Sequence, residues 1–216
     1  MPTSLPVPDK SAGDVFTETM WDSYIRDNIN KLLNLGHRVL TVAQFAALTS
    51  PEGTKGTVAP DEVYLEVDAT SGVLWHLGYE SGESTSKWRF LGGPAMFSEV
   101  VTSEGGTGAG YFALATAGPS VTLPRSGDYD VLIGFHCDGV VGGVDHRMSY
   151  DIGGTGAVNA DWVHQVTSSA NPSRLRRKAA LGAVALVAKY SSGGASQATF
   201  GDRFMSVLPV RVRHDA

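Results

Sequence analysis

The sequence predicts a mainly β protein whose C-terminal part is a jelly-roll-like β-sandwich. The chain has 216 residues, enough to bury a sizeable core, and it contains 26 Gly and 10 Pro. Only 18% of its residues are charged, so it lacks the Glu- and Lys-rich stretches of long helices. Short segments of β-branched and aromatic residues alternate with Gly-rich turns at the spacing of a sandwich or barrel.

The charge and cysteine content exclude several classes of protein. A net charge of -5 argues against binding to nucleic acid or to an anionic membrane, which requires surplus Lys and Arg. Cys137 is the single cysteine, so an intrachain disulfide and a multi-cysteine zinc site are excluded, and we expect no cofactor. The N-terminus lacks the basic start and apolar run of a signal peptide, and the longest apolar stretch, 179–188, is too short to insert in a membrane. We therefore expect synthesis in the cytoplasm.

The N-terminal region is predicted to contain an extended arm and one helix. Residues 1–14 include three prolines without apolar periodicity, which is typical of an arm. Residues 15–36 predict a helix that Thr17 or Thr19 caps and Gly36 ends. Its seam alternates steps of four and three residues, as in a coiled coil, here a candidate trimeric one, and carries one polar residue: Trp21, Ile25, Asn28, Leu32 and Leu35. This face either packs on its own domain or associates with copies of itself, and in the second case Asn28 would fix the register.

Residues 37–93 predict a small β-meander that would serve as an attachment or stem module. A short helix or turn at 39–48 precedes strands at 63–67, 73–79 and 88–91, each with a period of two. Three short strands have little core of their own, so the meander needs a partner surface. The run of Gly92, Gly93 and Pro94 marks a boundary before the sandwich domain, 95–216.

The sandwich domain is predicted to contain up to ten short strands. Alternation places Tyr129, Val131, Ile133 and Phe135 on one face of their strand. In the last strand it places Phe204, Leu208, Val210 and Val212 on one face. The predicted strands are 97–102, 111–115, 119–123, 128–136, 146–152, 160–166, 174–180, 182–190, 195–200 and 204–213.

Two segments of the N-terminal half follow each other in an order that resembles a known group of proteins. The stretch TETMWDSYIRDNINKLLNL combines an apolar start, a Trp, an Arg-Asp-Asn core and a run of Leu. Residues 42–93 then run through an Ala-rich turn, Pro51 and Gly53, a hairpin with an acidic turn, Trp75 and a closing Trp88. This order resembles the N-terminal region of tailed-bacteriophage tail and fibre proteins over residues 15–93. The C-terminal segment is similar, more weakly, to β-sandwich tips of actinobacteriophage tail proteins.

The resemblance implies a function. Such proteins are typically homotrimers that are held in the virion by the N-terminal part and present the tip to a host surface. We therefore expect a non-enzymatic virion protein, a trimeric fibre, spike or tail-tip component that contributes to host attachment. The expected partners are copies of the chain, other virion proteins and, as a candidate, a host cell-surface glycan. The alternatives are a capsid fibre or decoration protein without a receptor role, a carbohydrate-binding module, and a glycan hydrolase.

One cluster of residues has the chemistry of metal ligands. His136, Cys137 and Asp138 precede Asp145 and His146 by a few residues, and imidazole, thiolate and carboxylate all bind metals. The alternative is that His136 and Cys137 alternate between the two faces of a strand. Because no third orienting residue and no Gly-x-Ser-x-Gly elbow stand out, we assign neither a metal site nor a catalytic residue.

Two further sets of side chains are candidates for surface contact. Alternation puts Arg174, Arg176 and Lys178 on one strand face, where they would contact an anionic polymer or an acidic neighbouring subunit. The alternative is a solvated edge strand that its charges protect from unwanted pairing. Trp162, Tyr150 and His164 are candidates for stacking on a sugar; the alternative is that they lie in the core or an interface.

Overall fold

The architecture is taken from a computed structural model that describes residues 38–48, 62–68, 73–137, 145–165 and 170–214. These residues form a nine-stranded sheet and a four-stranded sheet, so the mainly β prediction and the sandwich are confirmed. The predicted arm and helix, with all five residues of the helix seam, lie outside the described residues. No helix of the described part is long and apolar enough to cross a membrane.

The meander forms one end of the large sheet. Its first strand is parallel to the second. A short helix follows the first strand and begins with a capping box, in which the Thr41 side chain accepts a hydrogen bond from the backbone N–H of Gln44. The remaining strands are antiparallel and follow the chain order. The elements are β1 Arg38–Thr41, α1 Val42–Ala46, β2 Glu62–Asp68, β3 Val73–Tyr79 and β4 Trp88–Gly92.

The sandwich of the same chain supplies the partner surface that the meander needs. Strand β4 pairs with the last strand of the chain through Trp88 and Val212. The Trp75 ring lies 6.3 Å from that of Tyr129, and its indole N–H donates to the carbonyl of Pro94 at 3.1 Å. Because both tryptophans are fully buried, they join the meander to the main core. An association between copies is therefore not required to cover this module.

Among the described residues, nine strands and one short 3-10 helix follow the predicted boundary. The 3-10 helix is Asn159–Asp161. The strands are β5 Met96–Val100, β6 Glu104–Gly108, β7 Ser120–Thr122, β8 Gly127–His136, β9 His146–Ile152, β10 Val163–Gln165, β11 Ser173–Leu181, β12 Ala185–Ser191 and β13 Gly194–Val212.

The order of these strands is that of a jelly roll. The large sheet contains the path β5-β13-β8-β11, and the small sheet has the order β7-β12-β9-β10. The chain crosses between the sheets at nearly every step, so strands that are far apart in sequence become neighbours. Along its other edge, the long strand β13 pairs in turn with β6, β5 and β4.

The core lies between the inner faces of the two sheets. The predicted face of β8 is confirmed, because Tyr129, Val131, Ile133 and Phe135 are at most 1% exposed. The small sheet contributes the alternate residues of its two central strands: Met148, Tyr150, Leu186, Ala188 and Tyr190. Period-two alternation therefore explains most of the burial.

Three predictions about strands are wrong, each for a local reason. The Gly-rich segment between the predicted strands 97–102 and 111–115 contains β6, which was not predicted. A Cβ on Gly106 would lie 2.3 Å from the Phe112 ring, so glycine allows that ring to pack on the strand. The predicted strand 111–115 makes only one bridge, Phe112 with Tyr190. The last two predicted strands are one, β13, whose register shifts between Pro209 and Arg211; Val212 is therefore buried while Leu208 and Val210 are only half-buried.

Candidate ligand-binding surface

The outer face of the small sheet carries a cluster of aromatic and polar side chains, here called the platform. Its members come from β9, β10 and two connections: Tyr111, Arg147, Asn159, Trp162 and His164. The register of β9 and β10 places His164 opposite Arg147. Because Met148 and Val163 point to the core, their neighbours in each strand point outward.

Two of the predicted sugar-stacking residues form the centre of the platform. The rings of Trp162 and His164 are stacked, with centroids 4.7 Å apart and planes at 15°. The guanidinium carbon of Arg147 lies 4.3 Å from the Trp162 ring centroid, within the range of a cation–π contact. Arg147 also forms an ion pair with Asp145. The indole is therefore held between defined neighbours, and His164 remains exposed.

A hydroxyl and an amide adjoin these rings. The Tyr111 hydroxyl donates to the Asn159 side-chain oxygen at 2.9 Å. Below it, the Ser149 hydroxyl donates to the carbonyl of Val158 at 2.8 Å and fixes the connection before the 3-10 helix. Burial raises the pKa of the Tyr111 phenol above its usual range, against the opposing effect of Arg147. The phenol is thus a neutral hydroxyl at physiological pH.

Tyr150, the third predicted sugar-stacking residue, does not belong to the platform. It lies on the inner face of β9, is 1% exposed and packs in the core. Because side chains alternate along β9, Tyr150 lies on the face opposite to Ser149, which is covered by the connection through Val158. The prediction that Tyr150 could contact a sugar is therefore wrong, and its alternative, a core residue, is correct.

The three cations predicted to share a face of β11 do so, and they contact the segment that carries the platform. Arg174 donates to the carbonyl of Trp162 at 2.6 Å. Arg176 donates to the carbonyl of Ala160, and the Lys178 ammonium lies 2.8 Å from the carboxylate of Asp161. Asp161 is only 3% exposed, so loss of this partner would leave a buried side chain unpaired. These three side chains therefore have internal partners, while their predicted contact with an anionic polymer or subunit stays a prediction.

The outer face of the large sheet is apolar where four strands run side by side. Leu175 of β11 pairs with Leu132 of β8, which pairs with Ser206 of β13, which pairs with Phe97 of β5. Phe97 and Leu175 are 60% and 61% exposed. We call the following set the apolar stripe: Phe97, Leu132, Leu175, Phe204 and Leu208.

Phe204 packs on Phe97 at one end of the apolar stripe. Its ring stacks on that of Phe97, with centroids 6.3 Å apart and planes at 24°. On its other side it covers Gly134, where a Cβ would lie 2.5 Å from the ring. Glycine at this position therefore lets the ring lie flat on the sheet. Beside the stripe, Arg177 forms a two-pronged pair with Asp130 at 2.8 Å and lowers the pKa of that carboxyl.

An apolar groove adjoins the stripe at Phe97. It has a volume of 480 Å³ and lies between the end of the β2–β3 hairpin and strands β5 and β7. Its apolar lining includes Val67, Val73, Met96 and Val121. Phe97 belongs to both the stripe and the lining of the groove.

The residues with metal-ligand chemistry lie on different faces. Cys137 is buried, and its thiol donates to the carbonyl of Ala170 at 3.5 Å. His136, on the opposite face of the strand, lies 2.6 Å from the side-chain oxygen of Asn171. His146 is buried against Phe200, with ring centroids 5.7 Å apart. Within the described ranges no three His, Cys, Asp or Glu side chains come together as metal ligands, and Asp138 lies outside those ranges.

Comparisons with known proteins leave the family open. No protein-family model and no curated protein matches the chain. The solved structures that are similar include an Eiger TNF from S. frugiperda, 7% identical with a TM-score of 0.39, which covers 54% of this chain and 92% of its own. A globular domain of zebrafish complement 1qA is 9% identical with a TM-score of 0.35 and covers 55% and 98%. An exo-beta-1,3-galactanase from Phanerochaete chrysosporium is 13% identical with a TM-score of 0.31 and covers 68% and 43%. At these scores none of them bears on function.

Proposed function

We propose that the chain is a non-enzymatic structural protein of a bacteriophage virion, a homotrimer whose jelly roll contributes to attachment to the host surface. The observation that carries the proposal is the apolar stripe. In a single chain, two large side chains of the stripe, Phe97 and Leu175, are mostly in water although they lie in one row with Leu132. Contiguous apolar patches of this kind mark interaction sites more often than isolated exposed residues do.

The energetic argument favours copies of the chain as the partner. Covering a Leu or Phe side chain stabilises an assembly by roughly 1.5–3 kcal/mol, and a closed ring of three chains repeats the same contact three times. Beside the stripe, Arg177 and Asp130 pair with each other within the chain, whereas Glu99 lies opposite Phe204 in the neighbouring strand. The contact between copies must therefore keep Glu99 in water or supply it with a cation.

The sequence resemblance supports the identity of the assembly. Residues 15–93 resemble phage tail and fibre proteins, and the seam of the predicted helix 15–36 offers a second place for copies to associate. The helix stays a prediction. If it forms, two surfaces at different places along the chain would hold the same trimer together.

The test begins with the absolute mass of the purified full chain, measured by light scattering after size exclusion. The proposal requires a mass of three chains. It also requires that an excess of purified protein, mixed with host cells before the phage, lowers adsorption of the virions. A trimer that leaves adsorption unchanged would favour a capsid fibre or decoration protein without a receptor role.

A carbohydrate-binding module is the second candidate function, and the platform favours it. Such a module would act as a single chain, so a stable monomer that binds a polysaccharide would support it against the virion protein. A monomer without such binding would contradict both candidates. The mass therefore separates the two functions before any host is known.

A further inference from the structure

We infer that the platform binds an uncharged glycan through vicinal hydroxyl groups. This rests on the proposed function only for the source of the glycan, the host surface; the binding itself follows from the side chains. The proposal names the exposed ring of His164, which is stacked on Trp162, as the stacking surface. It names Arg147 and Tyr111 as the hydrogen-bonding groups.

The first argument is the shape of the aromatic surface. Two nearly parallel rings on the outer face of a sheet present an edge and an exposed ring face, that of His164. The C–H groups of a pyranose carry partial positive charge, so they pack well against the negative face of an aromatic ring. A stacked pair inside the core would serve packing alone. His164 is exposed, so the outer face of its ring is open to a ligand.

The second argument is the charge of the polar groups. Arg147 is paired with Asp145, so the pair carries no net charge; Oδ1 of Asp145 is buried, and the guanidinium, 24% exposed, is the group that can donate to a ligand. Of two neighbouring sugar hydroxyls, one can accept from this guanidinium while the other donates to the hydroxyl oxygen of Tyr111. The Tyr111 hydroxyl and the Asn159 amide are also uncharged. An anionic sugar would instead have to compete with Asp145 for the guanidinium.

The third argument is that the platform is held in place before any ligand binds. Arg174 holds the carbonyl of Trp162, Arg176 that of Ala160, and Lys178 the side chain of Asp161. Fixing the segment in advance lowers the entropy cost of ordering it on binding. The cations of β11 act as positioning residues for the platform, which accounts for three basic side chains turned toward a backbone segment.

Weak single sites suffice in the proposed trimer. Three platforms on one particle bind a repetitive polysaccharide together, and the effective concentration of the second and third sites raises avidity by roughly 10²–10⁴. The site therefore needs no deep pocket. A shallow aromatic surface fits this mode of binding.

The test is affinity electrophoresis of the full chain in native gels that contain soluble glucan, galactan or mannan, with a polyuronate as the charged counterpart. We expect at least one neutral polymer to retard the protein more than the polyuronate does. Retardation by the polyuronate alone, or by none of the four polymers, would overturn the inference.

Three variants assign the binding to the platform. Trp162→Ala and His164→Ala should each weaken the retardation by about tenfold or more. Arg177→Ala, on the opposite face of the sandwich, is the matched control and should leave it unchanged. His164 is exposed, so its variant stays informative if Trp162→Ala is poorly folded. Equal retardation of His164→Ala and the native chain would contradict the assignment.

The outcome is separable from that of the proposed function. The platform variants should keep the mass of the native protein, because their side chains lie away from the apolar stripe. Absence of glycan binding in a protein with a trimeric mass would overturn the inference about the platform and leave the proposed trimer unaffected. A monomeric mass with glycan binding intact refutes the trimer and leaves the inference standing.

Discussion

The outer faces of the two sheets differ, whereas their inner faces are alike. Both inner faces consist mainly of aliphatic and aromatic side chains such as Ile133 and Leu186, and the large sheet adds the cations of β11 at its edge. Outside, the large sheet presents the apolar stripe, while the small sheet presents aromatic rings combined with paired charges and uncharged polar groups. Burial of the core drives folding. Of the two outer faces, that of the large sheet suits contact with copies of the chain, and that of the small sheet suits a polar ligand.

Strand β11 contributes to both surfaces. Its alternate residues point in opposite directions, so Leu175 and Arg177 lie on the outer face and Arg174, Arg176 and Lys178 hold the platform segment. The strand lies at the edge of the large sheet. One edge strand therefore couples the position of the platform to the surface that the proposed trimer covers.

A charge in the apolar stripe is the substitution with the largest expected effect. Leu175→Asp would place carboxylates at the contact between copies, where burial of an unpaired charge is costly. We expect the mass to fall from three chains toward one, with the native circular dichroism spectrum, because Leu175 is 61% exposed in the single chain. Val158→Asp adds the same charge at an apolar residue that is 48% exposed beside the small sheet, and it should leave the mass unchanged. A trimeric Leu175→Asp protein would show that the stripe is not the contact.

The pairs on the two sides of β11 should differ in their contribution to stability. Lys178→Met keeps the aliphatic stem but leaves Asp161, 3% exposed, without its cation, and should lower the free energy of unfolding by about 2–3 kcal/mol. Arg177→Met breaks the exposed ion pair with Asp130 and should change the free energy of unfolding little, because solvent screens that pair. Urea denaturation followed by tryptophan fluorescence measures both. Equal losses would contradict the idea that the inward cations hold the platform segment.

Gly134 tests the packing beneath the apolar stripe. Gly134→Ala would force the Phe204 ring off the sheet, since the new Cβ would lie 2.5 Å from it, and should cost about 1–2 kcal/mol of unfolding free energy. Gly110→Ala is the control, because a Cβ there has no neighbour within 4 Å. The same urea titration compares them. An unchanged Gly134→Ala protein would mean that Phe204 is free to leave the stripe.

Ionisation of the buried Tyr190 phenol should lower the stability of the fold only at alkaline pH. Burial raises the pKa of the Tyr190 phenol to about 12, against about 10 in an unfolded chain. Because the folded-state pKa is the higher one, the neutral phenol stabilises the fold fully below about pH 10, and this contribution is lost as the pH rises toward 12. We expect Tyr190→Phe to lose less stability than the native chain between these pH values. An identical pH dependence, measured by urea midpoints, would contradict a buried phenol.

Period-two patterns predicted the strands well and the two surfaces poorly. Strands β3 and β9 have the predicted bounds, and the buried face of β8 follows directly from alternation. The apolar stripe combines strands that are far apart in sequence, and the platform depends on the register that sets Arg147 beside the Trp162 segment. Neither juxtaposition is encoded locally. Leu175 stands between Arg174 and Arg176 in a strand with period two. An apolar residue on the face opposite to charged ones was a signal in the sequence that could have indicated the stripe.

Hydroxyl-radical footprinting of the full chain, read by mass spectrometry, tests the contrast between the two faces most directly. Phe97 and Leu175 are both about 60% exposed in a single chain. If copies of the chain cover the apolar stripe, these two side chains are protected from oxidation, while His164 reacts at the rate of an exposed residue. Fast oxidation of Phe97 and Leu175, equal to that of His164, would contradict the account.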